Sequence, residues 1–374
     1  MGAYPISVLL VVRELSSGGI ERDVTKLALG FPRDVFDPYV ATYKPAGPRY
    51  EELMQAGVPV LHLDLSSIAS MKAVRAALQM RRLIREKNIR LVHAFDASAI
   101  FAVPIAKMLR VPVVLSSMLG SRNLLDAKTQ KQYGWTDRMV DAILVNCEAT
   151  RLHLMDDWSV PSDRIELCYN GVDPNEFHPD AAAKMSEYSD ASIVIGAVCV
   201  LRAEKNLTLL QEAFAKVRHL SLKPRLLIVG SGPELDKLRA NSERLGISDC
   251  SVFVPASRQV AAFMRTIDIF VSCSYSEAFS NSILEAMACG SCVVGSRVGG
   301  TPELIHDAEH GLLFTSNDVN DLADKLARLI QEPELRQRFG RRAAQFAATK
   351  LSMAENLRRT TEIYRKFLRA KRVI

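Results

Sequence analysis

The sequence has no run of eighteen or more apolar residues, so no membrane-spanning helix of ordinary length is expected. Its seven cysteines are odd in number and scattered from Cys147 to Cys292. That pattern argues against a disulfide framework and for a reducing, cytoplasmic setting. Cys289-Gly-Ser-Cys292 has redox-motif spacing but lacks the upstream features of a thioredoxin motif. No second pair completes a zinc site, so the expectation is structural. The first apolar run, residues 6–12, is closed by Arg13 and carries no signal-peptide cleavage pattern; it reads as one strand. Internal repeats are also missing, which excludes a solenoid. Charge of one sign is scarce, because 48 basic side chains face 42 acidic ones, a formal +6. That excess is too small to announce a nucleic-acid partner. It is also unevenly placed: residues 1–180 hold 21 basic and 21 acidic side chains, whereas residues 335–374 hold 12 against 2.

What remains is an ordinary composition, 48% hydrophobic and 24% charged, over 374 residues. That length is too great for one compact core and suits two domains. Apolar β-branched runs at 6–12, 38–42, 58–63, 91–94, 111–116 and 142–146 alternate with helical periodicity at 20–31, 69–87, 97–109 and 129–140. Such strands suit a parallel sheet covered on both faces. Residues 169–192 break the rhythm with Asn-Gly, Asp-Pro and His-Pro and read as a linker. A second alternation follows, with strands at 193–200, 225–229, 251–254, 267–271 and 291–295 and helices at 207–219, 233–245, 260–266 and 281–289. After Gly311 the chain reads as helical. The fold class expected is α/β, two Rossmann-like doubly wound domains facing across a ligand cleft.

Four loops could carry chemistry. Ser16-Ser17-Gly18-Gly19 lies between the first strand and a helix, where an anion or a plain tight turn fits equally. Gly230-Ser-Gly232-Pro-Glu has Leu235 where a dinucleotide fingerprint wants a third glycine, so a structural turn fits at least as well. Arg202-Ala-Glu-Lys205-Asn206 places a lysine where it can act as a point charge on a diphosphate, or simply sit on the surface. The strongest constellation is Ser276-Glu277-Ala278-Phe279-Ser280-Asn281 with Glu285. Glu277 falls just before a helix and can accept sugar hydroxyls, the N–H groups at 279–282 can take a phosphate, and Glu285 can hold a diol. His93 and Asp96 close the strand at 91–94, where ligand-facing residues gather, although a lone histidine is more often structural. Residues 72–90 carry seven basic side chains and one acid, Glu86. A solvated helix face or a membrane-surface helix would both explain them.

Together these residues resemble the retaining nucleotide-sugar glycosyltransferases of family four, which have the GT-B fold. The resemblance covers nearly the whole chain. It rests on Gly18-Gly19-Ile20-Glu21-Arg22, Val92-His93-Ala94, Tyr169-Asn170-Gly171-Val172-Asp173 with Phe177, and Leu201-Arg202-Ala203-Glu204-Lys205-Asn206. It also includes Ile228-Val229-Gly230-Ser231-Gly232-Pro233, the Glu277-x7-Glu285 element with Glu285-Ala-Met-Ala, and Gly299-Gly300-Thr-Pro-Glu303. The resemblance implies that Gly18 and Gly19 cap the donor diphosphate and that Lys205 neutralises it as it leaves, with Arg202 beside it. Glu277 would hold the donor sugar, Ala278, Phe279, Ser280 and Asn281 would line the phosphate and sugar, and Glu285 would hold the ribose. His93 joins Glu277 and Lys205 as a catalytic candidate.

The resemblance implies no metal and no cofactor beyond a UDP- or GDP-linked donor, with a glycan or lipid-linked acceptor in envelope, exopolysaccharide or lipopolysaccharide synthesis. Where the family places an arginine, a histidine, a glycine and a proline, this chain has Val200, Met118, Pro255 and Cys292. His93 or Arg122 is the candidate for the histidine's role. Domains are expected at 1–180 (acceptor) and 181–355 (donor), with a basic helix 356–374 returning to the first. The basic tail 335–374 is expected beside residues 72–90, giving a peripheral contact with the anionic inner face of a membrane. The alternatives are a nucleotide-sugar epimerase of the same fold, a dehydrogenase, and a two-lobed binding protein.

Overall fold

The computed structural model describes residues 5–16, 18–65, 70–120, 122–180 and 184–374. Ser17 of the first glycine loop, the first residue expected of the helix at 69–87, and residues 181–183 of the expected linker lie outside the described residues. The chain forms two compact units, Met1–Gly171 with Met353–Ile374, and Val172–Ser352.

The first unit is built on a seven-stranded sheet. Its strands are β1 (Ile6–Glu14), β2 (Phe36–Lys44), β3 (Val60–His62), β4 (Leu91–Phe95), β5 (Val113–Met118), β6 (Ala142–Val145) and β7 (Ile165–Leu167). All are parallel, in the spatial order β3-β2-β1-β4-β5-β6-β7. Residues 8–11 of β1 are fully buried because helices cover both faces, so the strands lack an alternating polar side. Alternation instead sends neighbours into different cores. Leu9, Val11, Val92, Ala94 and Val114 pack with the helix Met71–Glu86. Val8, Leu10, Leu91, Phe95 and Leu115 pack with Ile363, Tyr364 and Leu368 of the helix Met353–Ala370.

The two basic helices therefore lie on opposite faces of one sheet, and the expected single basic surface is not formed. The helix Pro333–Lys350 belongs to the second unit, so the basic tail is divided as well. Among the described residues no helix is long and apolar enough to cross a membrane.

The second unit holds six parallel strands, β8 (Ile193–Val198), β9 (Pro224–Val229), β10 (Ser251–Val254), β11 (Ile269–Ser272), β12 (Cys292–Ser296) and β13 (Gly311–Phe314). Their order is β10-β9-β8-β11-β12-β13. The boundaries differ from 180/181 and 355/356. Residues 172–180 coat the second unit: Val172 N–H donates to Leu351 O at 2.9 Å, Arg265 donates to Glu176 O, and Phe177 is buried. Beyond the undescribed stretch, Lys184 pairs with Asp268 at 2.5 Å and Tyr188 is buried. The Pro- and Gly-rich segment is thus largely packed surface.

Periodicity missed β7 and β13, which have three and four residues, too few to show a period. It also missed the helices Pro48–Gln55 and Glu148–Asp156, which bury only Leu53 and only Thr150 and Leu154. Cys289 and Cys292 are free, buried thiols pushed up to about 12 by burial, as a structural role requires.

Candidate active site

In a doubly wound sheet, loops leaving two neighbouring strands in opposite directions open a crevice at the strands' carboxyl ends. In the second unit that point lies between β8 and β11, and in the first between β1 and β4. The sequence-derived candidates cluster at these points.

After β8 the chain passes through buried Leu201 and exposed Arg202 into a short turn, Ala203–Lys205. Asn206 then takes a left-handed conformation (φ 47°) and starts the next helix. Two backbone contacts hold this loop. Tyr275 N–H donates to Glu204 O at 3.0 Å, tying it to the loop after β11. Leu201 N–H donates to Ser231 O at 3.0 Å. A Cβ on Gly230 (φ 150°) would lie 1.9 Å from Cys199 O, so the Gly230-Ser-Gly232 turn is a brace pressed against the lysine loop.

After β11 come buried Ser274, then Glu277, then Ala278, Phe279 and Ser280, all three nearly inaccessible. The helix Asn281–Ala288 follows, and Ser280 Oγ caps it by accepting from Ile283 N–H at 3.4 Å. Gly299 (φ 48°) packs so closely that a Cβ there would meet Glu277 O at 1.7 Å, and Gly300 N–H donates to Ala278 O at 2.8 Å. The Glu277 loop is therefore clamped by backbone.

Lys205 Nζ lies 2.6 Å from Glu277 Oε2, and Ser274 Oγ donates to the same oxygen at 3.2 Å. The side chains are only 24% and 14% exposed, so the pair is poorly screened yet reachable. Burial pulls the lysine down, and the adjacent Glu277 charge more than offsets it, holding Lys205 above its ordinary range. The ammonium is thus kept charged against the loop that leads into the helix Asn281–Ala288, whose first-turn N–H groups favour anions. Glu285 is buried on the same helix. Arg202 is 63% exposed and 3.9 Å from Glu204, too far for a firm pair. The structure thus brings Lys205, Glu277, Ser280 and Asn281 to one crevice. Among the described residues no group of three or more His, Cys, Asp and Glu has a metal-holding arrangement.

In the first unit Gly18 precedes the helix Gly19–Gly30 in ordinary extended conformation (φ −72°), and Glu21 lies in its first turn. His93 is a correction. Its ring is 1% exposed, with Nδ1 paired to Tyr364 Oη and Nε2 to Ser117 Oγ, each at 2.7 Å. Desolvation lowers it to about 3, so it stays neutral and tied to the last helix, not catalytic. Alternation explains this: His93 points the same way as buried Leu91 and Phe95. Arg122 is corrected too. It is wholly buried, 2.7 Å from Asp137 and stacked by Tyr133 and Trp158.

The residue at the mouth of β4 is Asp96. It is held at φ 45°, and its Oδ1 accepts from Leu119 N–H at 2.9 Å. Burial raises it to about 6, with the Glu21 charge adding to the effect.

A family profile described as Glycosyltransferase Family 4 matches residues 17–176, and one described as Glycosyl transferases group 1 matches residues 183–346. The chain belongs to glycosyltransferase family 4. The N-acetyl-alpha-D-glucosaminyl L-malate synthase of Bacillus anthracis is 32% identical to the glycosyltransferase over 186 residues, 49% of each chain. The D-inositol 3-phosphate glycosyltransferase of Segniliparus rotundus is 30% identical over 274 residues, 70% of this chain and 58% of that one. The match thus spans about half the length of these relatives. HepE of Anabaena, solved with UDP and glucose, superposes with a TM-score of 0.86 at 18% identity, covering 96% of this glycosyltransferase and 100% of that chain. A glycosyltransferase from Rickettsia africae superposes at 0.84 with 20% identity, covering 98% and 99%. The fold is accordingly GT-B.

Proposed function

We propose that this glycosyltransferase moves a hexosyl group from a UDP-linked donor to a hydroxyl of a glycan or lipid-linked acceptor. The reaction retains anomeric configuration, needs no metal, and serves envelope or lipopolysaccharide assembly. The Lys205–Glu277 pair at the crevice of the second sheet carries this reading. As the bond from the sugar carbon to the diphosphate oxygen breaks, negative charge develops on that oxygen, and the ammonium of Lys205 is already charged beside it. The acceptor oxygen attacks from the same face, and its proton passes to the departing phosphate. Glu277 holds donor-sugar hydroxyls, the Ser280–Asn281 backbone takes phosphate or sugar, and Glu285 takes the ribose diol. A lysine in this role supplies charge that a divalent cation supplies elsewhere.

UDP is preferred to GDP because HepE is solved with UDP-glucose. The lipopolysaccharide setting is supported by the lipopolysaccharide glycosyltransferases WaaG and WaaB, which share the fold with TM-scores of 0.73. Asp96 at the carboxyl end of β4 suits a neutral acceptor hydroxyl better than an anionic acceptor group.

The test is a panel of UDP- and GDP-sugars scored for donor hydrolysis and transfer, with and without a chelator. Glu285→Ala should weaken nucleotide binding, and Glu277→Ala should chiefly lower turnover. Full activity in both variants sinks the assignment. Loss of activity on chelation removes the metal-free step. Conversion of the donor sugar without an acceptor identifies an epimerase instead.

A further inference from the structure

We infer that the outer face of the helix Ala127–Asp137 holds a stretch of anionic glycan, a carboxylate-bearing oligosaccharide chain. The helix turns Tyr133, Thr136 and Asp137 into the first unit. At 100° per residue, the arc opposite them carries Lys128, Lys131, Trp135 and, one residue past the helix, Arg138. At 1.5 Å per residue this stripe is about 15 Å long. Trp135 is 56% exposed, although an indole is an indifferent helix former and buries little there. The three cations are exposed and form no ion pair among the described residues. Both acids of the segment are engaged elsewhere. Asp126 caps the helix, accepting from Lys128 N–H, Thr129 N–H and Thr129 Oγ1, and Asp137 pairs with buried Arg122. Gly134 leaves the ground beside the indole clear, since a Cβ there would meet nothing within 4 Å.

The stripe starts at the rim that carries Asp96. Leu119 N–H, just past β5, donates to Asp96 Oδ1 at the carboxyl end of the sheet, and the helix begins a few residues on. After the helix, Asp141 N–H donates to Val114 O near the start of β5, so the helix runs back from the carboxyl end of the sheet towards its amino end. A chain whose terminal hydroxyl lies at Asp96 would continue along Lys128, Lys131, Trp135 and Arg138. That hydroxyl is uncharged, and the acidic groups lie farther down the chain. An indole packs on the C–H face of a sugar ring, and ammonium and guanidinium groups take the carboxylates at its edge. A bilayer interface calls for several apolar side chains on one face, and this face has one. The inference rests on the proposed transfer to a glycan and names the class of that acceptor, an acidic oligosaccharide.

The experiment titrates the full chain with an oligogalacturonate, a maltooligosaccharide of equal length and polyphosphate, by calorimetry and by tryptophan fluorescence. The chain has two tryptophans, and Trp158 is stacked on buried Arg122, so a fluorescence change that vanishes in Trp135→Leu reads this face. Oligogalacturonate should bind, more weakly at high salt. Trp135→Leu should lower its affinity about tenfold. Lys131→Gln and Arg138→Gln should each lower it about fivefold at low salt. Arg81→Gln, exposed on the helix Met71–Glu86, should leave it unchanged. Circular dichroism and thermal melting establish that each variant is folded. Equal binding of the maltooligosaccharide overturns the proposal, as does polyphosphate binding that is as tight and indifferent to Trp135→Leu. Tighter binding of poly(U) or of phosphatidylglycerol vesicles, lost in the same variants, also overturns it and assigns the face to nucleic acid or to a membrane. Hydrolysis of UDP-sugars by the same preparations reads the proposed reaction separately. Hydrolysis without glycan binding overturns this inference alone, and glycan binding without hydrolysis overturns the reaction and keeps the stripe.

Discussion

The two crevices share a topology and differ in electrostatics. In the second unit a lysine and a glutamate meet at 2.6 Å on the loop that leads into a helix, so the cation is held charged by the protein itself. In the first unit the mouth of the central strand carries Asp96, raised to about 6 with Glu21 nearby, and the histidine three residues earlier is locked in the core. One crevice thus holds a paired ammonium and the other a carboxyl raised by burial. Loops at equivalent ends of equivalent strands supply the difference, and the strands only aim them.

The strongest way to break that contrast is to remove the cation. Lys205→Met should lower kcat/KM for transfer about 100- to 1000-fold, the range seen when a transition-state charge partner is lost. A loss under tenfold in steady-state assays would mean the crevice does not handle a leaving anion. His93→Leu asks whether the first unit hides a counterpart of Lys205. It should cost about 3 kcal/mol of stability, because Tyr364 Oη and Ser117 Oγ lose their partners inside the core. The folded fraction, measured below the melting transition, should keep its kcat.

The same histidine makes the protein acid-labile. Its pKa is lowered on folding to about 3, so the unfolded chain binds the extra proton below pH ~6.5. Stability is then lost as pH falls from ~6.5 towards 3, by about 1.4 kcal/mol per unit, and denaturation midpoints of the wild type against His93→Leu would measure that slope.

Gly299→Ala sharpens the comparison from the scaffold side. A left-handed alanine with its Cβ on the Glu277 carbonyl should cost about 2 kcal/mol and lower turnover by moving the Glu277 loop. The smallest effect is expected at Asp96. Its pKa is raised on folding, so the folded state keeps a proton that the unfolded state has lost between pH ~3.8 and about 6, and stability falls across that window. Asp96→Asn should recover part of that loss at neutral pH and raise KM for the acceptor more than for the donor, with kcat little changed. Unchanged acceptor kinetics would leave Asp96 as strain without use.

Most of the second crevice was legible along the chain. Lys205 and Glu277 each follow an apolar strand and precede a helix, and the charge of Glu277 in an otherwise apolar stretch stands out. The first crevice was less legible. His93 and Asp96 both sit at the end of one strand, and their one-dimensional contexts look alike. Only the alternation of the strand between two cores sends one inward and leaves the other at the mouth. Arg122 misled for a similar reason, since its partners Asp137, Tyr133 and Trp158 come from later segments.

A two-unit α/β chain with parallel sheets was readable from local pattern, because apolar strands and amphipathic helices follow the periods of the backbone. The candidate loops were equally readable as strand-to-helix connections, because apolar strands end just before them and helix starts follow. Only the folded chain placed His93 in the core, set the two basic helices on opposite faces of one sheet, and fixed where one unit hands over to the other. Those are outcomes of long-range packing, in which a residue's environment comes from segments up to 271 positions away.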